Sequence, residues 1–234
     1  MTSADLQKYK HVQSLAKETI DFLKSFICEG VTEKEIREAA ENFLHEKDVK
    51  SFWYYGLGAF VLVGERTTIS ISGREYLATD TKVQNNDLIS VDLSPEIDNF
   101  WGDFARTFVV ENGKVIDGEQ SKFPEIVEGI KAEKTLHREF RLLAQADMSF
   151  EEIYTKINTL IDELGFENLD FNKNLGHSIV KQKDDRVYIK AGNATLLGSV
   201  DLLTFEPHIR KKNGKYGFKH EDIYYFEGGR LQVL

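Results

Sequence analysis

The sequence predicts an α+β fold of two pseudo-symmetric helix–helix–sheet halves, about residues 1–115 and 116–234. Three observations point to it. The order helix, capped helix, strands runs through the chain twice. Each strand-rich part carries two acidic residues in facing positions. Only three prolines and no Gly/Ser tract interrupt the 234 residues, so both halves are expected in one domain, 1–234.

Apolar positions at Leu6, Tyr9, Val12, Leu15, Ala16, Ile20, Leu23 and Ile27 recur at helical spacing and predict a helix over 3–28, ended by Gly30. Thr32 followed by Glu35 is a capping-box pattern that opens a second helix running to about His45. Residues 53–63 and 67–71 are strand-like, and a ribbon follows from Leu88 to Val110. After a turn at Asn112-Gly113 the series restarts. A helix is expected within 118–146, and the capping box Ser149 to Glu152 starts another that reaches Leu164-Gly165. Strands are expected around His177, over 187–189, 200–206 and 218–226. Gly30 to Ile36 and Asp147 to Ile153 match in kind, as do Gly56 to Gly58 and Asn174 to Gly176, a weak sign of duplication that chance recurrence would also give.

The first ribbon turns in the stretch Pro95 to Asn99. Pairing about a point between Ile97 and Asp98 sets Asp92 opposite Asp103, and cross-strand partners share a face. Alternation along the strands keeps the apolar neighbours Val91, Leu93 and Phe104 off that face. Two facing carboxylates need a counter-charge or a raised pKa. Alternatively one turns outward, or Arg106 neutralises Asp103.

The second ribbon turns at Asn213-Gly214, the signature of a two-residue hairpin, which sets Glu206 opposite Glu221. Four inward carboxylates with an imidazole suit a pair of divalent ions such as Mn, Co, Fe or Zn. His177, beside Gly176 at the start of a β-run, is the imidazole to add, although a histidine in such a place is commonly structural. His208 should share the face of Glu206, and His220 should point away from that of Glu221.

Composition limits the partners. A net charge of −9 disfavours nucleic acid and anionic membranes. The single cysteine, Cys28, excludes an intramolecular disulfide, and no signal-like or membrane-spanning run occurs, so a cytoplasmic protein is expected.

Five short motifs in order resemble the pita-bread metallopeptidases, the group of methionine aminopeptidase, prolidase, aminopeptidase P and creatinase. They are Asp87-Leu-Ile-Ser-Val-Asp-Leu93, Gly102-Asp-Phe-Ala-Arg-Thr-Phe108, Leu175-Gly-His-Ser-Ile179, Thr204-Phe-Glu-Pro-His-Ile209 and His220-Glu-Asp-Ile223. The likeness is greatest to a single-domain Xaa-Pro peptidase-like protein. It implies a duplicated pita-bread fold around a central dinuclear site, with Asp92, Asp103, His177, Glu206 and Glu221 as metal ligands and Asp103 and Glu221 bridging. It also implies an exopeptidase in which Glu206 moves protons, a peptide or small amide as substrate, and a homodimer.

Two histidines usual in that family are absent. Lys183-Asp-Asp-Arg186 stands where one would follow the metal histidine, and Ser72 to Thr79 contains none where the other precedes the first ribbon. His208 is the candidate replacement; an exposed hairpin histidine is the other reading. Trp53, Tyr54, Tyr55 and Tyr76 either shape a pocket or fill core. A non-catalytic module binding a peptide or protein, and a metal-retaining homologue acting on a small metabolite, are the alternative functions.

Overall fold

In the computed structural model, which describes residues 1–234, both halves start with a long helix followed by a capped one. The helix α1 (Ser3–Phe26) is closed at its N-terminus by a capping box between Thr2 and Asp5, and α2 (Glu33–Glu46) by one between Thr32 and Glu35. The first-half strands are β1 (Ser51–Phe52), β2 (Ala59–Val63), β3 (Asp87–Leu93), β4 (Pro95–Ile97), β5 (Phe100–Trp101), β6 (Phe104–Glu111) and β7 (Lys114–Ile116). They form an antiparallel sheet β2-β3-β6-β7 and a smaller one β1-β4-β5.

The second half repeats the plan. The helix α3 (Pro124–Leu143) is followed by α4 (Phe150–Glu163), again opened by a capping box, Ser149 with Glu152. The strands are β8 (Phe166–Asn168), β9 (Leu203–Phe205), β10 (His208–Lys211), β11 (Gly217–Lys219), β12 (Asp222–Glu227) and β13 (Arg230–Val233). They pair as β11-β10-β8 and β13-β12-β9. The duplication extends to detail: the N-cap Thr32 forms a bridge with Lys82, and the N-cap Ser149 forms one with Leu196.

Alternation along β3 aims the site. Ile89, Val91 and Leu93 join the core that packs on α1 and α2, whereas Leu88 belongs to the core of the second half. Ser90 and Asp92, on the Leu88 face, therefore look toward the centre of the molecule.

Several expected elements differ. Residues 67–71 form no strand: Gly64 adopts φ +65°, and a 3-10 turn covers Gly64–Thr68. The Thr67 hydroxyl donates to the Gly64 carbonyl at 2.6 Å, which competes with a strand ladder. Of 53–63 only Ala59–Val63 is a longer strand, since Tyr55 and Gly56 have positive φ. The segments about His177 and 187–189 are held by isolated bridges, His177 to Tyr188 and Ser178 to Leu203. The expected run 218–226 is split into β11 and β12, while the short β8 and terminal β13 carried too little pattern to be foreseen.

The registers divide in the same way. In the first ribbon Asp98 and Asn99 both have left-handed φ, 51° and 63°, as a tight I′ turn requires. The turn is thus centred one residue later than expected, with Ile97 paired to Phe100 and Asp92 facing Ala105 rather than Asp103. In the second ribbon the register is the expected one. His208 pairs with Lys219 on one side of the acids and Phe205 with Asp222 on the other, which sets Glu206 opposite Glu221. Its turn is wider than two residues, because the Glu125 carboxylate of α3 accepts from the Lys215 and Tyr216 amides at 2.6 and 3.2 Å.

Candidate metal centre

Asp103 lies two residues before Ala105, the ladder partner of Asp92, so the register shift leaves both acids on one face. Gln13 of α1 fixes the Asp103 backbone: its amide donates to the Asp103 carbonyl at 2.8 Å and its oxygen accepts from the Asp103 N–H at 3.0 Å. Oxygens of Asp92, Asp103 and Glu221 come within 4.8 Å of one another. Arg106 does not neutralise Asp103; it bonds the Asp222 carboxylate and the Glu221 carbonyl, both at 2.7 Å.

His177 follows Gly176, whose φ of +143° and closeness to the Thr204 carbonyl, 2.3 Å from any added Cβ, leave room only for glycine. The His177 N–H donates to the Thr204 hydroxyl at 3.1 Å, and its Nδ1–H to the Ser178 carbonyl at 3.1 Å. Its Nε2 is left facing Glu206 at 3.5 Å and Asp103 at 3.7 Å. All five residues expected to bind metal are thus brought together.

A sixth member was not foreseen. The Lys219 ammonium sits 2.5 Å from Asp92, 3.1 Å from Glu206 and 3.7 Å from Glu221. It stands two residues before Glu221, and strand alternation alone places it on that face. Burial and the neighbouring Asp92 and Glu206 charges push Asp103 well above the usual carboxylate range. Burial, then Asp103 and Glu206, does the same to Glu221. Burial also acts upward on Glu206, but Lys219 and His177 outweigh it and hold this acid below its ordinary value.

Four carboxylates thus face one ammonium. Glu221 is fully buried, and neither of its oxygens has a hydrogen-bond partner. A buried, unpartnered carboxylate is costly unless it is protonated or meets a cation, so these residues fit divalent ions, and His177 Nε2 offers the imidazole ligand such ions favour.

All of the cluster but the fully buried Glu221 lines a cavity of about 310 Å³, together with Trp53, Tyr54, Tyr55, Tyr188, Arg186 and His208. Tyr76 is core instead, its hydroxyl bonded to the Val61 backbone. His208 is buried rather than an exposed hairpin residue; its Nε2–H donates to the Thr67 carbonyl at 2.7 Å, so Nδ1 is the nitrogen left for other partners. His220 is directed elsewhere, as alternation requires. It bonds Asp222 at 2.9 Å and packs on His137, whose two nitrogens contact the Tyr224 hydroxyl and the His220 carbonyl. Arg186 lies in a loop, where no periodicity marks the side chain's direction.

The family model described as metallopeptidase family M24 matches residues 7–227. Among solved structures, the X-Pro aminopeptidase of Thermotoga maritima is similar at a TM-score of 0.82 and 19% identity, covering 100% of this chain and 61% of that one. The prolidase of Pyrococcus furiosus gives 0.82 and 19%, covering 99% and 64%. The methionine aminopeptidase of Rickettsia prowazekii gives 0.73 and 17%, covering 100% and 97%. At these identities the likeness is one of fold, and it bears out the expected pita-bread architecture. The chain spans about three fifths of the length of the prolidase-type relatives. No curated protein matches the sequence.

Proposed function

The chain belongs to metallopeptidase family M24, and from that membership we propose a dinuclear metal-dependent hydrolase, an aminopeptidase or Xaa-Pro dipeptidase-type exopeptidase. The observation that carries this reading is Glu221, buried with both oxygens unpartnered among three further carboxylates. Asp92 and Asp103 would hold one ion, His177 and Glu206 the other, with Asp103 and Glu221 shared. Such ions, of Mn, Co, Fe or Zn, supply Lewis acidity toward a carbonyl and lower the pKa of water.

The chain's own groups do the rest. Glu206, ionised beside Lys219 and His177, accepts a proton from the nucleophile and returns it to the leaving amine. His208, neutral because burial holds its pKa at about 4, offers Nδ1 as an acceptor to the substrate. Trp53 and Trp101, stacked at 3.7 Å between centroids, stiffen one wall of the site. A cytoplasmic location accords with the single Cys28.

Elemental analysis after loading with Mn tests the reading: about two ions per chain are expected, with metal and hydrolysis of Met-, Ala-Pro- and Xaa-Pro-type peptides lost in Asp103→Asn. One observation favours a second reading, a non-catalytic module binding a peptide or protein. The Lys219 ammonium already neutralises part of the cluster, 2.5 Å from Asp92. A chain that stays metal-free under the same loading decides for it. Metal uptake without peptide hydrolysis decides for chemistry on a small metabolite.

A further inference from the structure

The duplication supplies its own control for a second polar cluster. The offset that carries the N-cap Thr32 onto the N-cap Ser149 also carries Ala16 of α1 onto Glu133 of α3, and Ile20 onto His137. Asp103 and Glu221 are each followed by the first residue of a strand, Phe104 of β6 and Asp222 of β12. In the first half Ala16, Ile20 and Phe104 share one apolar core. The second half puts Glu133, His137 and Asp222 at the same places, and His220 where the first has Gly102. Hydrocarbon suffices to close the scaffold here, so four chemistry-bearing side chains need another reason.

Their geometry supplies one. Asp222 Oδ2 lies 2.9 Å from His220 Nε2 and 3.8 Å from His137 Nδ1, and donor atoms of the three residues fall within 4.8 Å of one another. Ligand atoms about 2.0–2.1 Å from a tetrahedral zinc ion are spaced roughly 3.3 Å apart, so small side-chain shifts bring these three onto one ion. The donors are also aimed. Arg106 holds the other Asp222 oxygen at 2.7 Å. The His137 Nε2–H donates to the His220 carbonyl at 3.0 Å, which leaves Nδ1 bare, and the Tyr224 hydroxyl donates to it at 2.8 Å. Outer partners of this kind fix the tautomer and direction of metal-bound imidazoles.

Glu133, one turn before His137 on the same face of α3, is buried with no hydrogen-bond partner on either oxygen and no cation at ion-pair distance. A carboxylate so placed is costly unless it is protonated or a cation comes near. The His220 side chain is a quarter exposed, which gives an ion a way in. Strand alternation turns His220 and Asp222 away from the face of Glu221, so this cluster is separate from the carboxylate centre.

We propose that His137, His220 and Asp222 form a site for one transition-metal ion of the zinc type, distinct from the carboxylate centre. Two imidazoles and one carboxylate favour zinc over manganese. The ion ties α3 to the strand that follows Glu221, and its binding needs neither substrate nor turnover.

The experiment uses the full chain carrying Asp103→Asn, which weakens the carboxylate centre, and follows zinc by calorimetry and elemental analysis. Compared with that chain, one carrying both Asp103→Asn and His137→Gln should bind about one zinc ion fewer, or bind it at least tenfold more weakly. Asp103→Asn with His220→Gln should give the same result, and carries the comparison if His137→Gln does not fold. Manganese should bind the histidine-dependent site at least tenfold more weakly than zinc. Zinc should also raise the melting temperature of Asp103→Asn by more than that of either double variant.

Zinc uptake that is equal in Asp103→Asn and in both double variants overturns the proposal, as does equal affinity of the histidine-dependent site for zinc and manganese. A His137-dependent zinc ion in a wild-type chain that takes up no manganese and hydrolyses nothing supports this site and sinks the hydrolase. Manganese uptake and peptide hydrolysis with no His137-dependent zinc ion do the reverse.

Discussion

The two acidic ribbons reach one centre by different means. In the first, Asp92 lies inside the β3–β6 ladder, facing Ala105, and only Asp103 sits in a break, between β5 and β6. In the second, the ladder breaks between Phe205 and His208 and again between Lys219 and Asp222. The pieces join two different sheets, and Glu206 and Glu221 sit at the breaks. The consequence is electrostatic. Asp92 has a close ammonium partner in Lys219, while Glu221 is fully enclosed with no hydrogen bond to either oxygen. The demand for a cation therefore rests on one acid from each ribbon, Asp103 and Glu221, both pushed up by burial and like charges, and is greatest at Glu221, which has no hydrogen bond.

Removing the internal cation breaks that contrast most severely. Lys219→Met strands Asp92 and Glu206, and in metal-free protein it should cost about 3–5 kcal/mol, the usual result of removing one partner of a buried pair. Urea unfolding with and without Mn checks this: the loss should shrink when metal is present. Gly176→Ala comes next. Its Cβ would fall 2.3 Å from the Thr204 carbonyl in a backbone with φ +143°, so about 3 kcal/mol of destabilisation is expected, together with weaker metal binding because His177 is displaced.

Glu221→Gln should act with opposite signs in the two states. Without metal it removes an enclosed charge and should raise stability by about 1–2 kcal/mol; with metal it should reduce uptake. Calorimetric melting at matched metal content separates the two. A fall in metal-free stability would mean that the second ribbon carries no unmet charge.

The smallest effect is a pH dependence. Burial holds His208 at about 4, against an ordinary imidazole value near 6.5. Between those values the unfolded chain binds a proton that the folded chain does not, so the contribution is complete above about pH 6.5 and is lost as pH falls toward 4, by about 3 kcal/mol at most. His208→Gln should flatten the fall of urea midpoints over that range, and an unchanged slope would show that His208 is not buried neutral.

Much of this was legible in order along the chain. The capping boxes at Thr32 and Ser149, helical spacing and strand alternation are local rules, and they located the helices, the duplication and the five residues of the cluster. The register of the second ribbon followed from counting about Asn213-Gly214, although that turn widened where Glu125, distant in sequence, captured its amides. The misplaced turn of the first ribbon did no harm to the site, because its effect on partners was two residues and the pleat repeats every two. Lys219 was within reach of the same alternation rule. Arg186 was not, since loops have no period.

By itself, then, the sequence determined which side chains share a face, because faces are set by local backbone geometry. Only the tertiary structure decided which charges lack partners. That Glu221 has no hydrogen bond, that Lys219 bridges acids from both ribbons and that Arg186 forms no ion pair beside three rings all depend on segments far apart in the chain meeting in one place.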